Sequence, residues 1–215
     1  IESLEDLGAG FVLATHDLEI RGAGELLGDE QSGQIESIGF TLYMEMLEQA
    51  VDALKEGKEP SLDQLLAGHT DIELRVPALL PDDYIPDVNM RLSMYKRIAS
   101  CSTQEEIDEL KIELIDRFGL LPQPAQNLIQ ISRFRLLAKP LGLKRIEIGD
   151  RGGFIDFTQE TRINPMFIVN LIQTQPRLYR MDGPTRLRFN LPSDDVKTRF
   201  SLVEQILTSF AANQN

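Results

Sequence analysis

Apolar residues recur at two different periods along this chain, and the changes of period divide it into elements. Residues 10–15, Gly-Phe-Val-Leu-Ala-Thr, form a short continuous apolar run, as expected of a strand buried on both faces. Phe40, Met44, Leu47, Val51 and Leu54 then recur at helical spacing, with Lys55, Gly57 and Pro60 as stop signals. Residues 18–27 offer this helix a shorter partner across the turn at Gln31-Ser32-Gly33. At residues 71–76, Asp-Ile-Glu-Leu-Arg-Val, the period drops to two and predicts a half-buried strand. Pro77, Pro81 and Pro86 predict an extended segment after it.

Three helices are expected next. The first covers about 88–99, and the third runs from near Pro124 to Leu137. The second covers 103–118, opened by a capping box of Thr103 with Glu106 and closed by Gly119 and Pro122. Two hairpins follow, 144–149 with 154–158 and 178–181 with 185–189, around Asp150-Arg151-Gly152-Gly153 and Asp182-Gly183-Pro184. Asn164-Pro165 opens a helix to Ile172, and Asp194 or Asp195 opens a closing helix to about Ala211. The order β, three helices, ββα, ββα defines an α+β class, with helices packed on a small, mainly antiparallel sheet.

Charge changes the picture more than composition does. Residues 1–60 hold 14 acids and 3 bases, residues 61–120 hold 12 and 6, and residues 121–215 hold 8 and 13. A chain of net charge -12 is poorly suited to holding nucleic acid by itself, because such affinity comes from neutralising phosphates. Its acidic segments suit a basic protein partner. On the second helix Glu106, Glu109, Glu113 and Asp116 fall on one face, beside the apolar stripe Ile107, Leu110, Leu114 and Phe118. A solvated face is the alternative reading of that acidic row. Arg180, Arg186 and Arg188 gather at the second hairpin, a candidate surface for acidic groups but one without interleaved aromatic residues. The single cysteine, Cys101, points to a reducing compartment, and no apolar run reaches membrane-spanning length; a cytoplasmic location is expected. His16 and His69 match no metal spacing, and no metal site is expected.

The segment Asp17-Leu18-Glu19-Ile20-Arg21-Gly22-Ala23-Gly24-Glu25-Leu26-Leu27-Gly28-Asp29-Glu30-Gln31-Ser32-Gly33 is a shaped loop rich in glycine around one arginine. Its G-x-G-x-x-x-G spacing is one residue off the dinucleotide fingerprint and lacks that motif's strand context; no Gly-Lys-Ser/Thr occurs in the chain. The segment resembles the translocation motif shared by RecG helicases and bacterial transcription-repair coupling factors. Gly39-Phe40-Thr41-Leu42-Tyr43-Met44-Glu45 extends the resemblance to the coupling factors. So do Leu79-Leu80-Pro81-Asp82-Asp83-Tyr84-Ile85-Pro86 and Glu113-Leu114-Ile115-Asp116-Arg117-Phe118-Gly119-Leu120-Leu121-Pro122, which resemble the family's C-terminal domain. A RecG protein is expected to stop soon after the motif.

The resemblance implies an ATP-dependent translocase on double-stranded DNA that displaces stalled RNA polymerase and recruits UvrA. Residues 1–15 would end the second RecA-like motor domain, and 16–60 would form the helical hairpin of the translocation motif. There Arg21, Gly22, Gly24, Gln31, Ser32 and Gly33 would couple hydrolysis to movement. Residues 61–70 would link this hairpin to a regulatory domain, 71–215, acting as an autoinhibitory lid on the UvrA-binding module of the same protein. Glu113 and Asp116 would make that contact, with Glu106 and Glu109 on the same face. ATP and magnesium are expected on motor domains outside this chain, which holds no cofactor and no catalytic residue of its own. A RecG-like helicase or a non-catalytic interaction domain are the alternatives.

Overall fold

The computed structural model describes residues 70–214. The expected strand at 10–15, the helical hairpin with Arg21, Gly22, Gly24, Gln31, Ser32 and Gly33, and the linker therefore lie outside the described residues, as do His16 and His69. Among the described residues, strand β1 (Asp71–Glu73) leads through an extended segment to three helices: α1 (Val88–Ser100), α2 (Gln104–Phe118) and α3 (Gln123–Ala138). A short 3-10 turn (Lys139–Leu141) leads into the hairpin β2 (Leu143–Gly149) and β3 (Gly152–Phe157). Helix α4 (Pro165–Thr174), the hairpin β4 (Tyr179–Met181) and β5 (Arg186–Phe189), and α5 (Val196–Ala211) complete the domain. The five strands form one sheet in the order β1-β2-β3-β5-β4, antiparallel except for the β1–β2 pair.

Alternation decides which face is covered. Ile72, Ile146, Ile148, Ile155, Leu187 and Phe189 point to one side, where Ile131, Phe134 and Ala138 of α3 and Val203, Ile206, Leu207 and Phe210 of α5 bury them. A register shift between Leu143 and Arg145 lets both Leu143 and Ile146 face this core despite their odd spacing. A second core gathers Met94, Tyr95 and Ile98 of α1, Ile107, Leu110 and Leu114 of α2, and Ala125, Leu128 and Ile129 of α3. Helix α3 spans both cores, its first half serving the helices and its second half the sheet.

The proline-rich segment between β1 and α1 has no strand partner among the described residues, and side chains meet part of its backbone. Asn127 Nδ2 donates to the Pro77 carbonyl (2.8 Å), and the Leu80 amide donates to the Tyr95 hydroxyl (2.7 Å). The buried Arg91 donates to the Ile85 carbonyl (2.5 Å). The strand expected over 71–76 is shorter than its alternation suggests. Arg75 adopts φ 52°, its amide is taken by the Glu73 carboxylate (2.8 Å), and buried Arg199 claims the Leu74 and Arg75 carbonyls (3.0 and 3.1 Å). Those groups are lost to the ladder, and the strand ends at Glu73. Elsewhere the caps expected at Thr103, Asn164 and Asp195 are present, and Asp87 caps α1; each accepts an amide of the helix it opens.

Candidate protein-interaction site

Helix α2 is held at both ends by bonds of its own. Thr103 accepts the Glu106 amide (3.2 Å), and the Glu106 carboxylate in turn accepts the Ser102 and Thr103 amides (2.6 and 3.3 Å). These bonds hold the Glu106 carboxyl below its usual range, and they spend it on the cap. At the other end, Gly119 takes φ 90° and returns its amide to the Ile115 carbonyl. Ile107, Leu110 and Leu114 are buried, which fixes the rotation of the helix and turns the row Glu106, Glu109, Glu113 and Asp116 outward.

The row is not uniform. Glu113 is met by both nitrogens of the Arg97 fork from α1 (2.7 and 2.6 Å) and by Arg117 one turn along α2 (2.9 Å). These two guanidiniums hold the Glu113 carboxyl well down, to about 2. Glu109 and Asp116 are exposed, and neither makes a hydrogen bond or ion pair among the described residues. Arg117 also lies over the Phe118 ring (5.1 Å), which stacks edge-on with Tyr84 (5.9 Å). A shallow hollow of about 340 Å³ beside the row is lined by Arg97, Cys101, Glu106, Glu109 and Glu113. Cys101 donates to the Arg97 carbonyl there (3.2 Å), and burial, followed by the Glu106 charge, pushes its thiol up, away from nucleophilic use.

The basic cluster of the second hairpin is arranged differently. Strand register lines up Asp71, Arg145, Asp156 and Arg186 in one row across the open face, and Glu73, Glu147, Phe154, Arg188 and Arg180 in the next. Arg186 grips Asp156 with two bonds (2.6 and 2.8 Å), and Arg188 bonds Asp182 (2.6 Å). The expectation of no interleaved aromatic is corrected here. Phe154 lies beneath Arg186 at 4.1 Å and near Arg145 at 5.8 Å, brought there by a strand 30 residues away in sequence. Arg180 alone of the three arginines makes no bond among the described residues, so the face is largely neutralised from within.

Sequence spacing could reveal only the Arg117–Glu113 pair, which is four residues apart on one helix. The Arg97–Glu113 fork joins two helices, and Arg199 reaches from α5 to the Ser193, Leu74 and Arg75 carbonyls and to Asp150; neither has a local signature. The resemblance places ATP and magnesium on motor domains outside this chain. Among the described residues no three His, Cys, Asp or Glu side chains converge as metal ligands would, and four of the five helix N-termini are occupied by their own caps. No helix among them is long and apolar enough to cross a membrane.

Fold and surface together define a compact α+β module whose outward chemistry is charge, part of it paired and part open. Residues 74–168 match the model of the TRCF domain. The chain is 59% identical over 213 residues, 99% of its length, to the transcription-repair-coupling factor of Escherichia coli, and covers 19% of that protein. It is 60% identical to that of Haemophilus influenzae, covering 99% of this chain and 18% of that one, and 36% identical to that of Myxococcus xanthus, covering 89% and 16%. A crystal structure of the C-terminal domain of a transcription-repair coupling factor superposes with a TM-score of 0.55 at 24% identity, covering 67% of this chain and 96% of that one, and shares the fold. The chain belongs to the transcription-repair-coupling factor family. It spans about a fifth of the length of the curated relatives it matches.

Proposed function

We propose that this chain serves transcription-coupled DNA repair as part of an ATP-dependent double-stranded DNA translocase that displaces stalled RNA polymerase and recruits UvrA. In this reading residues 71–215 are an autoinhibitory lid on the UvrA-binding module, and α2 is the face that docks. The observation that carries it is a helix capped at its N-terminus, fixed by a buried stripe, that presents Glu109 and Asp116 without partners among the described residues. Open carboxylates on a rigid element suit a basic surface, since little ordering is needed on docking. Residues 1–60 would transmit the nucleotide state to movement on DNA, with Arg21 anchoring the glycine-rich loop; Arg21→Ala in a full-length factor should leave ATP binding intact and uncouple hydrolysis from translocation.

Calorimetric titration of the 215-residue chain into the UvrA-binding module of a coupling factor tests the lid. Binding should strengthen as salt is lowered and disappear in Glu113→Arg/Asp116→Arg. Undiminished binding by the double variant would move the lid to another face, and no binding by the parent chain at low salt would remove it.

A further inference from the structure

The four carboxylates of α2 differ in what already holds them, and the difference lies in two arginines. Glu113 accepts three charge-assisted bonds, two from the Arg97 fork and one from Arg117, so three of its roughly four acceptor positions are filled. Both arginines are themselves accessible, with side chains 44% and 40% exposed against 32% for Glu113. Arg97 is further steadied at the Met94 sulfur (3.9 Å), and Arg117 at the Met90 sulfur (3.3 Å) and the Phe118 ring. A basic partner that approaches Glu113 therefore meets two fixed guanidiniums, and must either repel them or take the carboxylate from them. Asp116, one turn further and open, offers the same partner a charge with no such competitor.

Resting on the lid reading above, we infer that Arg97 and Arg117 set the strength of the α2 contact by competing with the partner's cations for Glu113, while Asp116 is the anion the partner meets first. The arginines thus limit the affinity of the docking face, and their effect is opposite in sign to that of the carboxylates. A docking face built this way binds less tightly than its formal charge suggests. That weakness is useful in a lid that has to open.

The test is calorimetric titration of the 215-residue chain and its variants into the UvrA-binding module at low and moderate salt. Arg97→Gln/Arg117→Gln should tighten binding by about three- to ten-fold, the scale of one or two exposed ion pairs. Asp116→Asn should weaken it more than Glu113→Gln does. Arg186→Gln/Arg188→Gln changes the net charge equally on the sheet face and should leave binding within about two-fold of the parent, the small effect expected of charges remote from a contact. Carboxylate titration by NMR should show Glu113 rising toward its ordinary range in the α-helical double variant, a readout that a merely structural role for the arginines would not couple to tighter binding. Weakened or unchanged binding in Arg97→Gln/Arg117→Gln, with Asp116→Asn still impaired, overturns this inference and leaves the lid standing. Equal tightening by the sheet-face control also overturns it, since net charge alone would then explain the gain. No binding by the parent chain removes the lid reading and this inference together.

Discussion

The outer face of α2 and the open face of the sheet each set carboxylates against arginines, yet Glu113 on the helix and Asp71 on the sheet are tuned in opposite directions. On α2, half-buried Glu113 accepts three bonds from Arg97 and Arg117, and its carboxyl falls to about 2. On the sheet, Asp71 is packed at the edge strand with only a 3.5 Å approach from Arg145, and burial raises its carboxyl to about 6 despite that cation. Bonding geometry decides the first case and loss of water the second. The comparison teaches that counting charges on a face says little about how that face will act. The sheet closes most of its charges into pairs, Arg186 with Asp156 across strands and Arg188 with Asp182 in the turn, whereas α2 leaves Glu109 and Asp116 open.

The comparison breaks most easily at Arg199, the buried cation that ties α5 to the end of β1 and to the β2–β3 turn. Arg199→Met should cost about 2–4 kcal/mol in urea unfolding, because the Ser193, Leu74 and Arg75 carbonyls lose their donor. A loss below about 0.5 kcal/mol, the level of an ordinary surface substitution, would mean that the sheet edge does not depend on it.

Asp71 gives the next effect. Its folded carboxyl lies above the ordinary 3.8, so its favourable contribution is complete below that value and is lost as pH rises through about 6. Replacing it by Asn should flatten the fall in stability between pH 4 and 7, a difference on the order of 2 kcal/mol across that window. Glu113 has the opposite sign: its contribution is present above the ordinary 4.5 and fades as pH falls through about 2. A pH 4–7 profile in Asp71→Asn identical to that of the parent would contradict the burial argument.

Smaller effects sharpen the contrast. Thr103→Ala opens the capping box and should cost about 1 kcal/mol while weakening the proposed lid contact, since the first turn of α2 frays. Arg186→Gln loses a bidentate partner on an exposed sheet face and should cost less than about 1 kcal/mol, with no effect on docking. If Arg186→Gln impaired docking as strongly as Thr103→Ala, the two faces would not differ in role.

Local chemistry was legible in the chain, and long-range pairing was not. The Thr103–Glu106 capping box, the Asn164-Pro165 helix start, the glycine closing α2 and both hairpins depend on neighbours a few residues apart, and all are found, though the first hairpin is tighter than expected because Gly152 and Gly153 pair with Gly149 and Ile148 inside β3. The early end of β1 was hidden because its cause, Arg199, lies more than 120 residues downstream. Phe154 under Arg186 was hidden for the same reason, since strand register rather than sequence brings them together. On α2 the acidic row itself was readable from helical spacing. Its division into spent, paired and open carboxylates depends partly on Arg97, which only the packing of α1 against α2 supplies.

The most direct test of the central claim is amide shift mapping by NMR on the 24.3 kDa chain, with the UvrA-binding module added in steps. The account expects shifts concentrated in residues 97–118, on the last turn of α1 and along α2, with residues 179–189 of the second hairpin unmoved. Shifts confined to that hairpin, or spread equally over both faces, would contradict it.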